Sequence, residues 1–228
     1  MRPWPLAALV VLLWWSPLEA VPGTTRAAAP PGVPETLLPL TVGSSWTWQT
    51  NYNDMTARVV RQSTFTAPNG GGPLPCVVVE TTQGESSEKV VQTEYFTLVD
   101  HQWEVLKRVY PGEDAVLTPP EVILKSPVVT GEHWTWDGQT ASGQAHLNFE
   151  VMRAERIKVP ALKLPVICQK VIMKGTDEHG STITVTRWYA PGIGLAKEDS
   201  QMTRSQQSIY VHGLLKSFHL AAAGQATP

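Results

Sequence analysis

A six-residue segment occurs twice in this chain, and the recurrence limits the folds open to it more than any other feature. Gly43-Ser44-Ser45-Trp46-Thr47-Trp48 returns as Gly131-Glu132-His133-Trp134-Thr135-Trp136, an offset of 88 residues from Trp46 to Trp134. Cys76 finds its counterpart in Cys168 at an offset of 92, and Tyr95-Phe96 in Trp188-Tyr189 at 93. Landmarks that keep their order while the offset grows slowly suggest a duplicated unit carrying short insertions. Duplication constrains architecture and says little about chemistry.

The repeated unit reads as strands. Ala145, Leu147, Phe149 and Val151 alternate with His146, Asn148 and Glu150, which places four apolar groups on one face. Trp103, Val105 and Val109 are expected to share a face, as are Ile183 with Val185 and Ile209 with Val211. In the last run the apolar parity changes between Val211 and Leu214, and a bulge at Gly213 would reconcile the two halves. Asn69-Gly70-Gly71-Gly72, Pro111-Gly112, Asp177-Glu178-His179-Gly180 and Pro191-Gly192 supply turn chemistry between runs. Pro119-Pro120 and Pro127 place the junction between repeats near residues 118–128. The expected fold is mostly β, an antiparallel curved sheet or half-barrel of about ten strands made from two tandem sequence-related halves. The halves span about 37–118 and 122–220 of a domain covering 37–220.

The flanks have a different composition. Arg2, the apolar run Leu6 to Trp15, and Leu18-Glu19-Ala20 form a signal peptide pattern over residues 1–20. The run is too short for a membrane span, which needs roughly 20 apolar residues. Residues 21–36, rich in Pro, Ala and Gly, read as a flexible linker, and 221–228 as a disordered tail. The expected location is exported, periplasmic or extracellular, with no transmembrane segment in the mature chain. A net charge of −2 offers no case for nucleic acid as a partner.

Candidate sites are few. Cys76 and Cys168 form an even pair in an oxidising compartment, so a disulfide and two buried thiols are both open readings. Gly192-Ile193-Gly194 lacks the third glycine of a dinucleotide fingerprint, because Lys197 stands there. The six histidines and the carboxylates are scattered, so no metal site, cofactor or catalytic residue is singled out. Glu85, Glu88 and Glu94 read as solvated strand positions. The aromatics leave two readings. Trp46 and Trp48 share one strand face, and Trp134 and Trp136 repeat the arrangement. With Trp188 they are either core layers or the aromatic walls of a groove for an apolar ligand.

Leu38-Pro39-Leu40-Thr41-Val42-Gly43-Ser44-Ser45-Trp46-Thr47-Trp48 resembles the opening of the TapB-like family of exported bacterial proteins of unknown function. Val159-Pro160-Ala161, Val166-Ile167-Cys168 and Trp188-Tyr189-Ala190-Pro191-Gly192-Ile193-Gly194-Leu195-Ala196-Lys197 are similar to its second signature, with Leu162-Lys163-Leu164 where the family has Gly-x-Phe. The resemblance implies an exported antiparallel β fold, curved like that of periplasmic lipoprotein carriers, and brings no catalytic residues. The expected function is therefore a non-enzymatic binding or scaffold protein of the cell envelope, with a lipid or other apolar ligand as partner. The alternatives are an interaction protein that recruits an envelope protein through edge strands, and, last, a hydrolase. N-terminal sequencing of exported protein should begin near Val21; an intact Met1 terminus in the envelope fraction would contradict the signal peptide.

Overall fold

The computed structural model describes residues 37–68, 72–84, 89–140, 143–205 and 207–222. The expected signal peptide, the linker and most of the tail lie outside the described residues. Strands β1 (Ser45–Thr50), β2 (Asp54–Phe65), β3 (Leu74–Gln83), β4 (Val90–Val99), β5 (Gln102–Tyr110) and β6 (Glu113–Lys125) follow one another as an antiparallel meander. The path continues through β7 (His133–Thr140), β8 (Gly143–Val151), a short β9 (Glu155–Ile157) and β10 (Val166–Asp177). It ends with β11 (Thr182–Ala190), β12 (Gly194–Arg204) and β13 (Gln207–His219). β13 pairs with β1, and β10 pairs with both β8 and β11, so twelve strands close into a barrel while β9 lies outside it against β10. The expected curved sheet is present, and it closes.

Alternation sets what faces inward. In β8, Ala145, Leu147, Phe149 and Val151 are buried while the intervening residues are not. Their partners Met173 and Val171 on β10, and Trp134 and Trp136 on β7, continue the same inner face. Pro111-Gly112 and Pro191-Gly192 turn the chain between β5 and β6 and between β11 and β12, with both glycines at positive φ.

Bulges correct two of the expected faces. Leu106 is an extra residue on β5, since Phe96 pairs with Val105 and Tyr95 with Lys107. The phase therefore changes after Val105, and Arg108, not Val109, joins Val105 on the inner face. The last strand carries its extra residue at Lys216, between the pairs Thr47–Ser217 and Trp48–Leu215, while Gly213 stays in register with Thr50 and Glu198. Pro119-Pro120 likewise lies within β6, not in the connection after it.

Those prolines thin the barrel wall. Proline has no N–H to give to a ladder, and β6 and β7 share a single residue pair, Thr118–Gln139. Side chains repair the seam. Trp134 Nε1 donates to the Val122 carbonyl at 2.8 Å, and Trp136 Nε1 donates to the Pro119 and Pro120 carbonyls at 2.9 and 3.1 Å. Trp134 also stacks on Phe149 with ring centroids 4.9 Å apart. The indole of Trp136 occupies the space over Gly138, where a Cβ would lie 2.2 Å from Cζ2. Gly138→Ala should therefore cost about 1–3 kcal/mol by overpacking. Gly72→Ala, in open space, should stay within about 0.5 kcal/mol. Urea unfolding of both variants checks the difference, and equal stabilities would contradict this account of the seam.

Candidate functional site

The barrel interior holds a cavity of about 200 Å³. Trp46 and Trp48 from β1 form one wall, and Leu38 and Leu40 from the segment preceding β1 also border it. Both tryptophans are held from behind. Trp46 Nε1 donates to the Ile193 carbonyl at 2.5 Å, in the turn before β12, and Trp48 Nε1 to the Leu195 carbonyl at 2.8 Å, on β12, both reaching past β13. Gly194 (φ +109) makes the approach feasible, since a Cβ there would stand 3.1 Å from Trp46 Nε1. With their N–H groups satisfied, the two indoles present mainly carbon to the cavity. Phe96, Val79 and Met55 extend this apolar surface.

The rest of the lining is ionic. Arg108 Nε donates to Glu94 Oε1 at 2.9 Å, and its Nη1 donates to Glu121 Oε2 at 2.6 Å. Arg187 Nε donates to Glu198 Oε2 at 2.8 Å. Glu94, Arg108, Arg187 and Glu198 line the cavity, and Glu121 beneath them is 1% exposed. Burial alone would pull the Arg108 pKa down; the adjacent Glu121 and Glu94 carry it above its ordinary value. Arg187 behaves the same way beside Glu198. Tyr189, packed against Arg187, is raised by burial. Such interior charges survive only because each has an oppositely charged partner within hydrogen-bonding distance.

The structure divides the five tryptophans singled out from the sequence. Trp46 and Trp48 border the cavity; Trp134 and Trp136 face inward but are committed to the β6–β7 seam. Trp188 is buried elsewhere, donating Nε1 to Glu155 Oε2 on β9 at 2.8 Å, with Lys197 Nζ 4.1 Å and Lys170 Nζ 5.4 Å from its ring centroid. Cys76 on β3 and Cys168 on β10 are free, buried thiols. Six strand-to-strand steps separate β3 from β10 in either direction round the barrel, so the two sit on opposite walls and form no disulfide. Burial pushes the Cys168 thiol up to about 11, which leaves it protonated and inert at neutral pH.

The ionic group escaped the sequence reading. Glu94 was expected in solvent and is paired inside the barrel instead. A signal existed for Arg187, which has the parity of Ile183 and Val185 on a face already assigned to the core. Glu94 likewise shares the parity of Phe96. For Arg108 the bulge at Leu106 hides the parity.

No family model matches the chain, and no curated protein does. Two solved structures align with it. One is a candidate lipoprotein from Parabacteroides distasonis, 16% identical with a TM-score of 0.46, covering 82% of this chain and 99% of its own. The other is a candidate exported protein with a YmcC-like fold from Bacteroides fragilis, 15% identical with a TM-score of 0.41, covering 82% and 98%. Neither likeness assigns a role to any residue described above, and the resemblance to the TapB-like family gains no support from a family match.

Arg108→Leu should destabilise the protein by about 3–5 kcal/mol, because it strands Glu94 and Glu121 in the interior. Combining Arg108→Met with Glu94→Leu and Glu121→Leu should restore most of that loss, since well-packed apolar groups replace a buried ionic triad at little cost. Denaturant unfolding reads both; a loss below about 1 kcal/mol in the single variant would mean these charges are hydrated.

Proposed function

We propose that this chain is a non-enzymatic binding protein of the cell envelope whose barrel interior receives a small apolar ligand. The observation that carries the reading is the cavity between the indoles of Trp46 and Trp48 and the apolar face of β2 to β4. At about 200 Å³ it exceeds the roughly 150 Å³ engineered cavity that accepts benzene. It falls short of the ~300–1,000 Å³ typical of drug-sized ligand pockets. That size suits one hydrocarbon chain or ring, and argues against carriage of a multiply acylated lipid.

Three features favour binding over the alternatives. Catalysis would need a nucleophile with a base, yet among the described residues the lining hydroxyls are those of Thr50, Thr81 and Tyr189, with no histidine beside them, and its charges are locked on one another. Recruitment by edge strands would need an edge. Closure pairs the strand edges except along β6 and β7, which share one residue pair and are bridged by the indoles of Trp134 and Trp136, and at the three-residue β9. Apolar groups point inward and His146, Asn148 and Glu150 outward on β8, the reverse of the pattern by which a barrel spans a bilayer. No described helix is long and apolar enough to cross a membrane. Export rests on the leader pattern in the sequence.

The barrel's internal correspondences support an origin by duplication. Trp46 on β1 and Trp134 on β7 stand six strands apart in the ring of twelve, as do Tyr95 on β4 and Trp188 on β11. Each aromatic of the latter pair carries the lysine of its strand partner over its ring, Lys107 at 5.6 Å and Lys197 at 4.1 Å, beside a bulge at the same point. The neighbouring ion pairs also correspond, with the charges exchanged: Glu94 with Arg108, Arg187 with Glu198.

Titration with the uncharged two-ring fluorophore 1-aminonaphthalene tests the reading. Saturable binding near one molecule per chain is expected, with quenching of tryptophan fluorescence. Trp48→Ala should weaken it about tenfold, the equivalent of losing roughly 1.4 kcal/mol of apolar contact. Absence of saturable binding to folded protein would overturn the proposal.

A further inference from the structure

Strand β10 outruns the barrel. Its ladder with β8 ends at Val171–Val151 and its ladder with β11 at Gln169–Tyr189, so Val166 to Cys168 pair with β9 alone. β9, the connection 158–165 and the first residues of β10 thus form a spur on the end of the barrel where β10 begins. The spur is firmly held. Val159 is buried in the core, Leu162 packs against that core, and the Ala161 N–H donates to the Leu215 carbonyl on β13 at 3.0 Å. Pro160 and Pro165 further restrict the backbone of the connection.

The outer side of the spur is apolar and basic at once. Leu164 is 77% exposed and Ile167 59%, the two highest values for a large apolar side chain among the described residues. A lone exposed leucine means little; what distinguishes this pair is its company. Exposed Lys163 precedes Leu164, exposed Arg156 is the strand partner of Ile167, and exposed Arg153 and Lys158 flank β9. Residues 153–170 hold five of the chain's 18 basic residues and one of its 20 acidic ones, so the spur is cationic on a chain that is otherwise acidic. That one acid is engaged elsewhere, because Glu155 accepts from Lys170 Nζ and from Trp188 Nε1, both at 2.8 Å. Among the described residues no carboxylate pairs with Arg153, Arg156, Lys158 or Lys163.

We propose that the spur docks on an anionic phospholipid surface, with Leu164 and Ile167 entering the interface and the four cations meeting lipid phosphates. This goes beyond the binding reading of the barrel and stands without it. Charge complementarity selects the occupant. Arg and Lys lay their stems along apolar neighbours while their charged ends reach outward, and apolar tips set among cations match a bilayer surface, where phosphate overlies hydrocarbon. An acidic protein would answer the cations and leave the projection of Leu164 and Ile167 without a use. A second copy docked spur to spur would bring like charges together.

Co-sedimentation of the exported protein with vesicles of phosphatidylcholine, alone or mixed with phosphatidylglycerol, tests this. Binding to the mixed vesicles should be at least about tenfold tighter and should fall in high salt, since each basic group near an anionic surface contributes about fivefold. Leu164→Ser combined with Ile167→Ser should weaken that binding about tenfold; both positions are exposed, and an unchanged melting temperature confirms the fold. Arg156→Gln combined with Lys163→Gln should remove most of the preference for phosphatidylglycerol. Val90→Ser should change nothing, because exposed Val90 begins β4 at the opposite end of the barrel, strand directions alternating round the ring. All variants share one N-terminus, so any lipid affinity of the leader cancels in the comparison. Equal binding to the two vesicle types, no binding to either, or a serine variant that binds as well as the native protein would overturn the proposal and leave the cavity reading untouched. Soluble polyglutamate held as tightly as the vesicles, with or without Leu164 and Ile167, would give the surface to an acidic chain and overturn it. Self-association lost in the serine variant, without vesicle binding, would give it to a second copy and overturn it as well.

Discussion

Closure of the sheet by the β10–β11 ladder is the constraint on which the rest of the molecule depends. Eight residue pairs, from Gln169–Tyr189 to Thr176–Thr182, join the two strands and leave no open side to the ring. Once the sheet closes, every second residue of each strand is committed to a shared interior. Little water reaches the deepest of these positions, and polar side chains on the inner face pair with one another. The ion pairs of Arg108 and Arg187 follow from this. The same closure pairs most of the strand edges on which strand addition depends, the β6–β7 seam excepted.

The two Trp-Thr-Trp segments show how one local sequence takes different tasks in one fold. At β7 the indoles stitch a wall that Pro119 and Pro120 have weakened, and Trp136 covers Gly138 so closely that no larger residue fits beneath it. At β1 the wall is intact, with Trp46 and Trp48 reaching past β13 to fix their nitrogens on the turn before β12 and on β12 itself, and leaving a face to the cavity. The sequence reading posed core against groove as one choice for all five tryptophans. The answer differs between the pairs because the backbone donors missing from β6 are present on β13.

Much of the fold is legible in the residues, and the failures have a physical pattern. Regular alternation in β8 identifies its inner face without error, and the Pro-Gly pairs after Tyr110 and Ala190 mark real turns. Prediction fails where one extra residue enters a strand. Leu106 and Lys216 each shift the phase by one, which exchanges inside for outside beyond them. Closure itself depends on the pairing of β10 with β11 after a strap through β9, a long-range geometry that no local pattern encodes. Glu94 was misplaced for a related reason: a carboxylate on an apolar face reads as solvated until its partner, fourteen residues away on β5, is brought alongside.

The claim at the centre of this account is that the closed barrel holds a small apolar guest. Native mass spectrometry of the protein purified without detergent from its own envelope tests it most directly. The account predicts a second species heavier than the bare chain by the mass of one small neutral molecule, released on mild activation without altering the protein's charge. A single bare mass, from protein that also fails to take up 1-aminonaphthalene added in excess, would contradict it.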